Sequence, residues 1–315
     1  MNADDLPTLR DELEAHDLWA NKGLGQHFLL DLNITRRIAK TAGDLHGQTI
    51  IEVGPGPGGL TRALLEAGAH VIAIEKDARF IPLLEPLIEW SEGKLTLVQG
   101  DALDVDEEAL LQTKPSPLVG EGWEGGRPDA QPSDSTNADR PPPPAPAPPG
   151  GGERQTPIIS NLPYNVGTPL LIKWLKAGPW RGPMTLMFQK EVAQRIVAKP
   201  GSDAYGRLAV LAQARCSARL EFIVPPRAFT PPPKIASAIV TLRDLPDPYP
   251  HLDALERVTF AAFGQRRKML RAALRSLTPD AEALLTTAGI TPTARAEEID
   301  QAGFRALADA WSARA

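Results

Sequence analysis

The segment Ile50-Ile-Glu-Val-Gly-Pro-Gly-Pro-Gly-Gly-Leu-Thr61 constrains the fold more than any other. The apolar run Thr49–Val53 reads as a buried strand. It breaks at Gly54, Gly56, Gly58 and Gly59, and a helical pattern then resumes over Leu60–Ala67. A strand that ends in a glycine turn and feeds a helix opens a βαβ unit. The alternation continues. Strands are expected at His70–Glu75, Lys94–Gln99, Pro157–Asn161 and Met184–Phe188, with helices at Ala78–Trp90, Pro169–Lys176, Glu191–Ala198 and Leu208–Cys216. Buried strands alternating with helices predict an α/β fold, a mostly parallel sheet covered on both faces.

The flanks follow other rules. Residues 8–19 carry Leu9, Leu13, Leu18 and Trp19 at helical spacing, and Ile34–Ala42 reads as a helix capped by Asp31 or Asn33. Two closing strands, Arg219–Val224 and Ala236–Leu242, enclose the proline-rich turn Pro225–Pro233. After Pro250 the pattern is wholly helical and predicts a small separate all-helical domain. Residues 113–156 are rich in Pro, Gly, Ser and Asp and bury too little apolar surface to offset ordering. They are expected to be a disordered insertion, inert or a Pro-rich ligand. The resulting division is 1–48 as an N-terminal helical segment with a loop, 49–245 as the sheet domain, and 246–315 as a small helical domain.

Three strand ends carry chemistry. Glycines in the first turn let backbone approach a ligand, and Glu75, ending the next strand, is placed to take ribose hydroxyls. The same spacing fits a nicotinamide dinucleotide, so this motif alone leaves two ligands open. Pro55 and Pro57 remove amide donors that a pyrophosphate would use, and Glu52 can receive the cationic end of a methionine moiety through water. Both features favour a methyl donor. Asp101, in Gly100-Asp101-Ala102 after the third strand, can accept from the amino group of a bound adenine, although such an acid also serves simply to cap a helix. The sharpest motif is Asn161-Leu-Pro-Tyr164, directly after the fourth strand. The exocyclic amine of adenine is a poor nucleophile because its lone pair is delocalised into the ring. The Asn161 side-chain oxygen and the Leu162 carbonyl can accept both amine protons, Pro163 stiffens the turn, and Tyr164 offers a stacking face worth about 1–3 kcal/mol. The plain alternative is a turn with a half-buried tyrosine.

Composition bounds the rest. A net charge of −5 argues against a nucleic-acid ligand, but the charge is unevenly spread. Residues 181–219 hold seven Lys/Arg against Glu191 and Asp203, and residues 257–277 hold six with no acid. Both stretches are candidate RNA-phosphate contacts, or simply solvated helix faces. The single cysteine, Cys216, excludes an internal disulfide and a cysteine-based zinc site, and no metal site is expected. No apolar run approaches the roughly 20 residues of a membrane span, and the acidic N-terminus lacks a signal-peptide pattern, so a cytoplasmic protein is expected.

Taken in order, Gly25-Gln-His-Phe-Leu29, Glu52-Val-Gly-Pro-Gly56, Glu75, Gly100-Asp101-Ala102, Asn161-Leu-Pro-Tyr-Asn165, Phe229-Thr-Pro-Pro-Pro-Lys234 and Phe263-Gly-Gln-Arg-Arg-Lys-Met-Leu-Arg271 make the chain resemble the ribosomal RNA adenine dimethyltransferase family, most closely its bacterial small-subunit, ribosome-biogenesis branch. The likeness runs from about Lys22 to Arg275, interrupted by the insertion. It implies a Rossmann-like class I methyltransferase sheet and S-adenosyl-L-methionine as cofactor. It implies that His27, Leu29, Gly54, Glu75, Asp101 and Asn161 line the donor site, that Asn161, Leu162, Pro163 and Tyr164 hold the target adenine, and that Phe229 flanks it. The implied activity is N6,N6-dimethylation of two adjacent adenines in a hairpin loop near the 3′ end of small-subunit ribosomal RNA. The implied partners are that RNA and the immature 30S subunit, bound by a monomer. Three positions depart from the pattern: His27 stands where many members have Asn, Pro57 follows Gly56, and the insertion is long. The alternatives are a large-subunit RNA methyltransferase giving macrolide resistance, a factor that mainly assists subunit assembly, and a nicotinamide oxidoreductase. The last explains neither Asn161–Tyr164 nor the basic segments.

Overall fold

A computed structural model describes residues 6–18, 27–112 and 155–314. Seven strands form one sheet in the order β4 (Leu95–Gln99), β3 (His70–Glu75), β2 (Thr49–Val53), β5 (Thr156–Asn161), β6 (Arg181–Gln189), β9 (Ser237–Asp244), β7 (Cys216–Val224). From β4 to β6 every pairing is parallel, and β9 is antiparallel to both β6 and β7. The chain winds outward from β2 in one direction and from β5 in the other. The gap above the C-terminal ends of β2 and β5 is therefore the topological switch point, where open α/β sheets bind ligands.

Side-chain alternation sorts the strands onto two covered faces. Ile50, Val71, Ala73, Ile159 and Met187 share a buried cluster with Ile38, Leu64 and Leu84 of α2 (Leu32–Ala42), α3 (Gly59–Glu66) and α4 (Ile81–Trp90). Ile51, Val53, Ile72, Ile158 and Leu186 belong to the opposite cluster with Leu171 and Trp174 of α6 (Gly167–Leu175) and Leu211 of α8 (Arg207–Arg215). Each Val, Ile, Leu or Met side chain among them contributes about 1.5–3 kcal/mol when fully buried. Asp31 caps α2 through the amide of Asn33 at 2.9 Å, so the cap is Asp31 and not Asn33.

The last segment is helical as expected, with α9 (Leu252–Gly264), α10 (Leu270–Ala273), α11 (Ala281–Thr287) and α12 (Gln301–Ser312). Leu255, Val258, Phe304 and Leu307 join the cluster that holds Trp174 and Leu211, so this helical region shares one continuous core with the sheet. The N-terminal helix α1 (Leu9–Ala15) is shorter than the sequence pattern, and Trp19 lies outside the described residues. So do Gly25, Gln26 and most of the proline-rich insertion (residues 113–154).

Two elements escaped the sequence pattern. Helix α5 (Glu107–Gln112) docks through a carboxylate: Glu107 is 2% exposed, accepts from Trp174 Nε1 at 2.9 Å and pairs with Lys173 at 2.8 Å. Leu110 and Leu111 pack beside it against the same core, but a six-residue helix with a carboxylate on its buried face is too short for hydrophobic periodicity to show. Strands β1 (Phe28–Leu29) and β8 (Phe229–Thr230) make a two-stranded antiparallel ribbon between distant parts of the chain, each too short to show alternation.

Candidate active site at the switch point

The glycine turn after β2 is a backbone cradle. Gly54, Gly56 and Gly58 have φ of +66°, +54° and +84°, a region other residues enter only with strain. The Gly54 amide donates to the Ile74 carbonyl at 2.9 Å, fixing the turn to β3. Glu75, 6% exposed at the end of β3, accepts from the Gly56 amide at 3.0 Å through one oxygen and from the Asp77 amide at 2.8 Å through the other. The two amides hold both oxygens in place while each keeps a lone pair for hydroxyl donors. Burial raises the Glu75 pKa and these amide bonds oppose the rise.

Across the switch point, the end of β5 is tied to β2. Ser160 Oγ donates to the Val53 carbonyl at 2.6 Å, and a Cβ on Gly54 would stand 3.4 Å from Pro163 Cδ. The two turns therefore face each other with room for no more than a methyl group between Gly54 and Pro163. Between them is a chamber of about 110 Å³ lined by His27, Leu29, Glu52, Gly54, Glu75, Asn161, Leu162, Pro163, Tyr164 and Phe229, among others. It brings together all but one of the site residues expected from sequence. The exception, Asp101, lines an adjoining trough of about 520 Å³ that shares Gly54, Glu75 and Pro163 with the chamber.

The individual placements are unequal. Asn161 is half-buried on the chamber wall, and Leu162 is 2% exposed, so its side chain is core and only its backbone is offered. Tyr164 is half-buried; its phenol lies 2.6 Å from Ser237 Oγ, and burial raises its pKa against that bond. The His27 ring sits 5.9 Å from the Tyr164 ring, tilted by 36°. Its Nδ1–H donates to the Pro231 carbonyl at 2.8 Å, which assigns the tautomer and leaves Nε2 without the proton while the ring is neutral. Phe229 lines the chamber but is 3% exposed, because β8 pairs it with Leu29 and seats its ring in the core. It forms wall and not a free stacking face. Asp101 already holds two partners, Lys76 Nζ at 2.6 Å and the Leu103 amide at 3.0 Å, and these bonds hold its carboxyl below the usual range. Glu52 is 1% exposed, receives Thr61 Oγ at 2.8 Å, and pairs with no cation among the described residues; burial raises its pKa to about 8, and the neighbouring Glu75 adds to the rise.

The basic segments are partly consumed inside the fold. Arg181 is 1% exposed and bonds Asp244 at 2.6 Å, so it is a structural cation and no RNA contact. Arg207 pairs with Glu256, Arg266 with Glu297 and Arg271 with Glu282. Lys190, Lys199, Arg267, Lys268 and Arg275 stand exposed without an ion pair among the described residues. Those residues include no group of three or more His, Cys, Asp or Glu able to hold a metal, and no helix long and apolar enough to cross a membrane.

Residues 18–311 match the family model described as Ribosomal RNA adenine dimethylase. The chain belongs to the ribosomal RNA adenine dimethylase family. Relatives of this dimethylase include the ribosomal RNA small subunit methyltransferase A of Phenylobacterium zucineum, 55% identical across 100% of this chain and 96% of the relative. The protein of the same name from Caulobacter vibrioides is 53% identical across 92% of this chain and 97% of its own. Two solved structures share the fold: a dimethyladenosine transferase from Plasmodium falciparum (TM-score 0.64, 22% identity, 89% of this chain and 96% of that one) and the 23S rRNA methyltransferase ErmE (TM-score 0.58, 22% identity, 90% and 99%). The Rossmann-like methyltransferase sheet expected for this dimethylase is the one observed. Sequence reading missed Ser237 and Lys76, which hold Tyr164 and Asp101, and, although Pro231 stands in the Phe229–Lys234 motif, missed that it holds His27. Nothing local announces these contacts, since each joins separate parts of the chain.

Proposed function

We propose that this dimethylase transfers methyl groups from S-adenosyl-L-methionine to N6 of two adjacent adenines in a hairpin loop near the 3′ end of small-subunit (16S) ribosomal RNA. The observation that carries the proposal is that the glycine turn and the Asn161–Tyr164 turn line one chamber. When bound, the donor supplies a methyl group on a sulfonium, electrophilic enough to need no covalent enzyme intermediate. The chain's part is binding, orientation and charge placement.

The donor set fits such a group. Glu75 presents carboxylate lone pairs to ribose hydroxyls, and the trough beside it, with Asp101 at its edge, is the adenine end. Asp101 would release Lys76, or share the carboxylate with it, to accept from the donor's amino group. Glu52 is a buried carboxyl with no cationic partner among the described residues, the kind of group that a donor's ammonium requires. At the acceptor side, the Asn161 side-chain oxygen and the Leu162 carbonyl accept hydrogen bonds from the two N–H groups of the target amine. This draws the nitrogen lone pair out of the ring and aims it at the methyl group. Each transfer forms one N–CH3 bond as the S–CH3 bond breaks and releases one amine proton to solvent. Tyr164 supplies the stacking face, and Phe229 the wall behind it. His27 and Leu29 close the chamber from the N-terminal side. The exposed cations Arg267, Lys268 and Arg275 would hold RNA phosphates. The names of the 55% and 53% identical relatives support small-subunit RNA as substrate; the immature 30S subunit as partner and a cytoplasmic monomer are part of the same proposal.

The test is to incubate the protein and Asn161→Ala with labelled donor and undermethylated small subunits, and to map the product. The parent is expected to label adjacent adenines twice each. The variant should lose about 10²–10³-fold in rate, as when one preorganised hydrogen-bonding group is removed from a reacting centre. Donor affinity should stay within a few-fold. Label in large-subunit RNA, or none in RNA, overturns the substrate.

A further inference from the structure

The Tyr164 phenol is not needed for stacking, because a phenylalanine presents the same face. The hydroxyl must therefore be explained by what it touches. Its partner, Ser237 Oγ at 2.6 Å, is the first residue of β9 and is fully buried. The sheet fixes that serine from both sides, with Gln189 of β6 and Val224 of β7 opposite it. The other end of the arrangement is equally fixed. His27 lies 5.9 Å from the Tyr164 ring and is held by the Pro231 carbonyl at 2.8 Å. Pro231 and Ser237 bound one short connection between β8 and β9, also tied to α7 (Lys190–Ile196) by the Lys190 amide donating to the Ala236 carbonyl at 2.9 Å. One segment thus sets the neighbours of the stacking ring on two sides.

We propose that Ser237 is a positioning residue for the target base, holding the Tyr164 ring in the plane against which the adenine stacks. This rests on the reading of Asn161–Tyr164 as the adenine slot. Without the hydroxyl contact, the tyrosine keeps its rotamer well but gains torsional freedom about its ring axis and Cβ, and the slot widens. The donor cradle is built by Gly54–Gly58 and Glu75, so it should not respond.

The experiment compares the parent, Ser237→Ala, Tyr164→Phe, the double variant and Ser237→Thr. The readouts are melting temperature, dissociation constant for S-adenosylhomocysteine, and kcat and KM on undermethylated small subunits. Each single variant is expected to lower kcat/KM for RNA by about threefold to tenfold, the span of one net hydrogen bond. The donor constant should not change, the double variant should equal either single one, and threonine should restore most of the loss. If Ser237→Ala does not fold, Tyr164→Phe removes the same bond from the half-exposed side and decides alone. Unchanged kcat/KM in the singles, losses that multiply in the double, or donor affinity falling in parallel would each overturn the proposal. A parent that leaves adenine unlabelled removes the substrate reading together with this inference, whereas a labelling parent with inert singles removes this inference only.

Discussion

Replacing Glu52 with glutamine should make the protein more stable and less able to bind its donor. Glu52 is buried, accepts a hydrogen bond from Thr61 and has no cation beside it among the described residues, and its pKa rises from an ordinary 4.5 to about 8. The folded state thus keeps a proton that the unfolded chain gives up. Stability is greatest below the unfolded value, falls as pH rises through the interval up to about 8, and flattens above it. At about 1.4 kcal/mol per pH unit, the loss accumulated by pH 7 is about 3 kcal/mol, an upper bound because relaxation softens the site. Glutamine preserves the shape and still accepts from Thr61 but does not ionise. Glu52→Gln should therefore melt about 4–5 °C above the parent at pH 7, and at the same temperature near pH 5, given the entropy of unfolding of a chain this long. Differential scanning calorimetry across pH 5–8 measures it. Calorimetric titration with the donor supplies the other half. Parent affinity should tighten as pH rises toward about 8, with proton release on binding, and the variant should bind about 10–100-fold more weakly without that dependence. Equal melting temperatures at pH 7 and parallel pH profiles would refute the assignment of a protonated, cation-seeking carboxyl.

Three other outcomes follow from the same coordinates. A Cβ at Gly59 would stand 2.6 Å from the Leu29 carbonyl oxygen and 3.1 Å from Leu9 Cδ1, so Gly59→Ala should cost about 1–3 kcal/mol in denaturant unfolding and, by displacing β1, weaken donor binding. Arg181→Met removes the partner of Asp244 and of the Trp174 and Gly182 carbonyls, and should cost about 3–5 kcal/mol in stability while leaving RNA affinity at low temperature unchanged. The paired change Arg267→Ala with Lys268→Ala should weaken RNA binding uniformly and flatten the plot of log affinity against log salt by about two units, with melting temperature unaffected.

The sheet was legible because its physics is local. Strands such as Thr49–Val53 and His70–Glu75 are continuous apolar runs punctuated by Gly54 and by the Lys76–Asp77 break, and they are observed with the expected ends. Part of the chamber was legible too, since Gly54, Glu75 and Asn161 sit at or just after the C-terminal ends of parallel strands, where the fold must gather them; His27, Leu29 and Phe229 belong to or adjoin the β1–β8 ribbon and were signalled only by the family resemblance. What escaped is non-local. The β1–β8 ribbon, the bond between Tyr164 and Ser237, and the polar docking of Glu107 join segments whose partners no window of sequence contains. Charge was misread for the same reason. A sequence sums Arg181, Arg207 and Arg266 with the free cations, while the fold turns each of them onto an internal acid. The helical region was separated by its pattern, yet Phe304 and Leu307 bury into the cluster that holds Trp174.

A crystal structure with S-adenosylhomocysteine and a short hairpin carrying two adjacent adenines would put the whole account at risk in one measurement. The expected complex has one adenine out of its stack and parallel to the Tyr164 ring. Its N6 should lie within hydrogen-bond distance of the Asn161 side-chain oxygen and the Leu162 carbonyl, and should point at the donor sulfur above Gly54. An adenine bound elsewhere, or an Asn161 side chain turned away from N6, would contradict it.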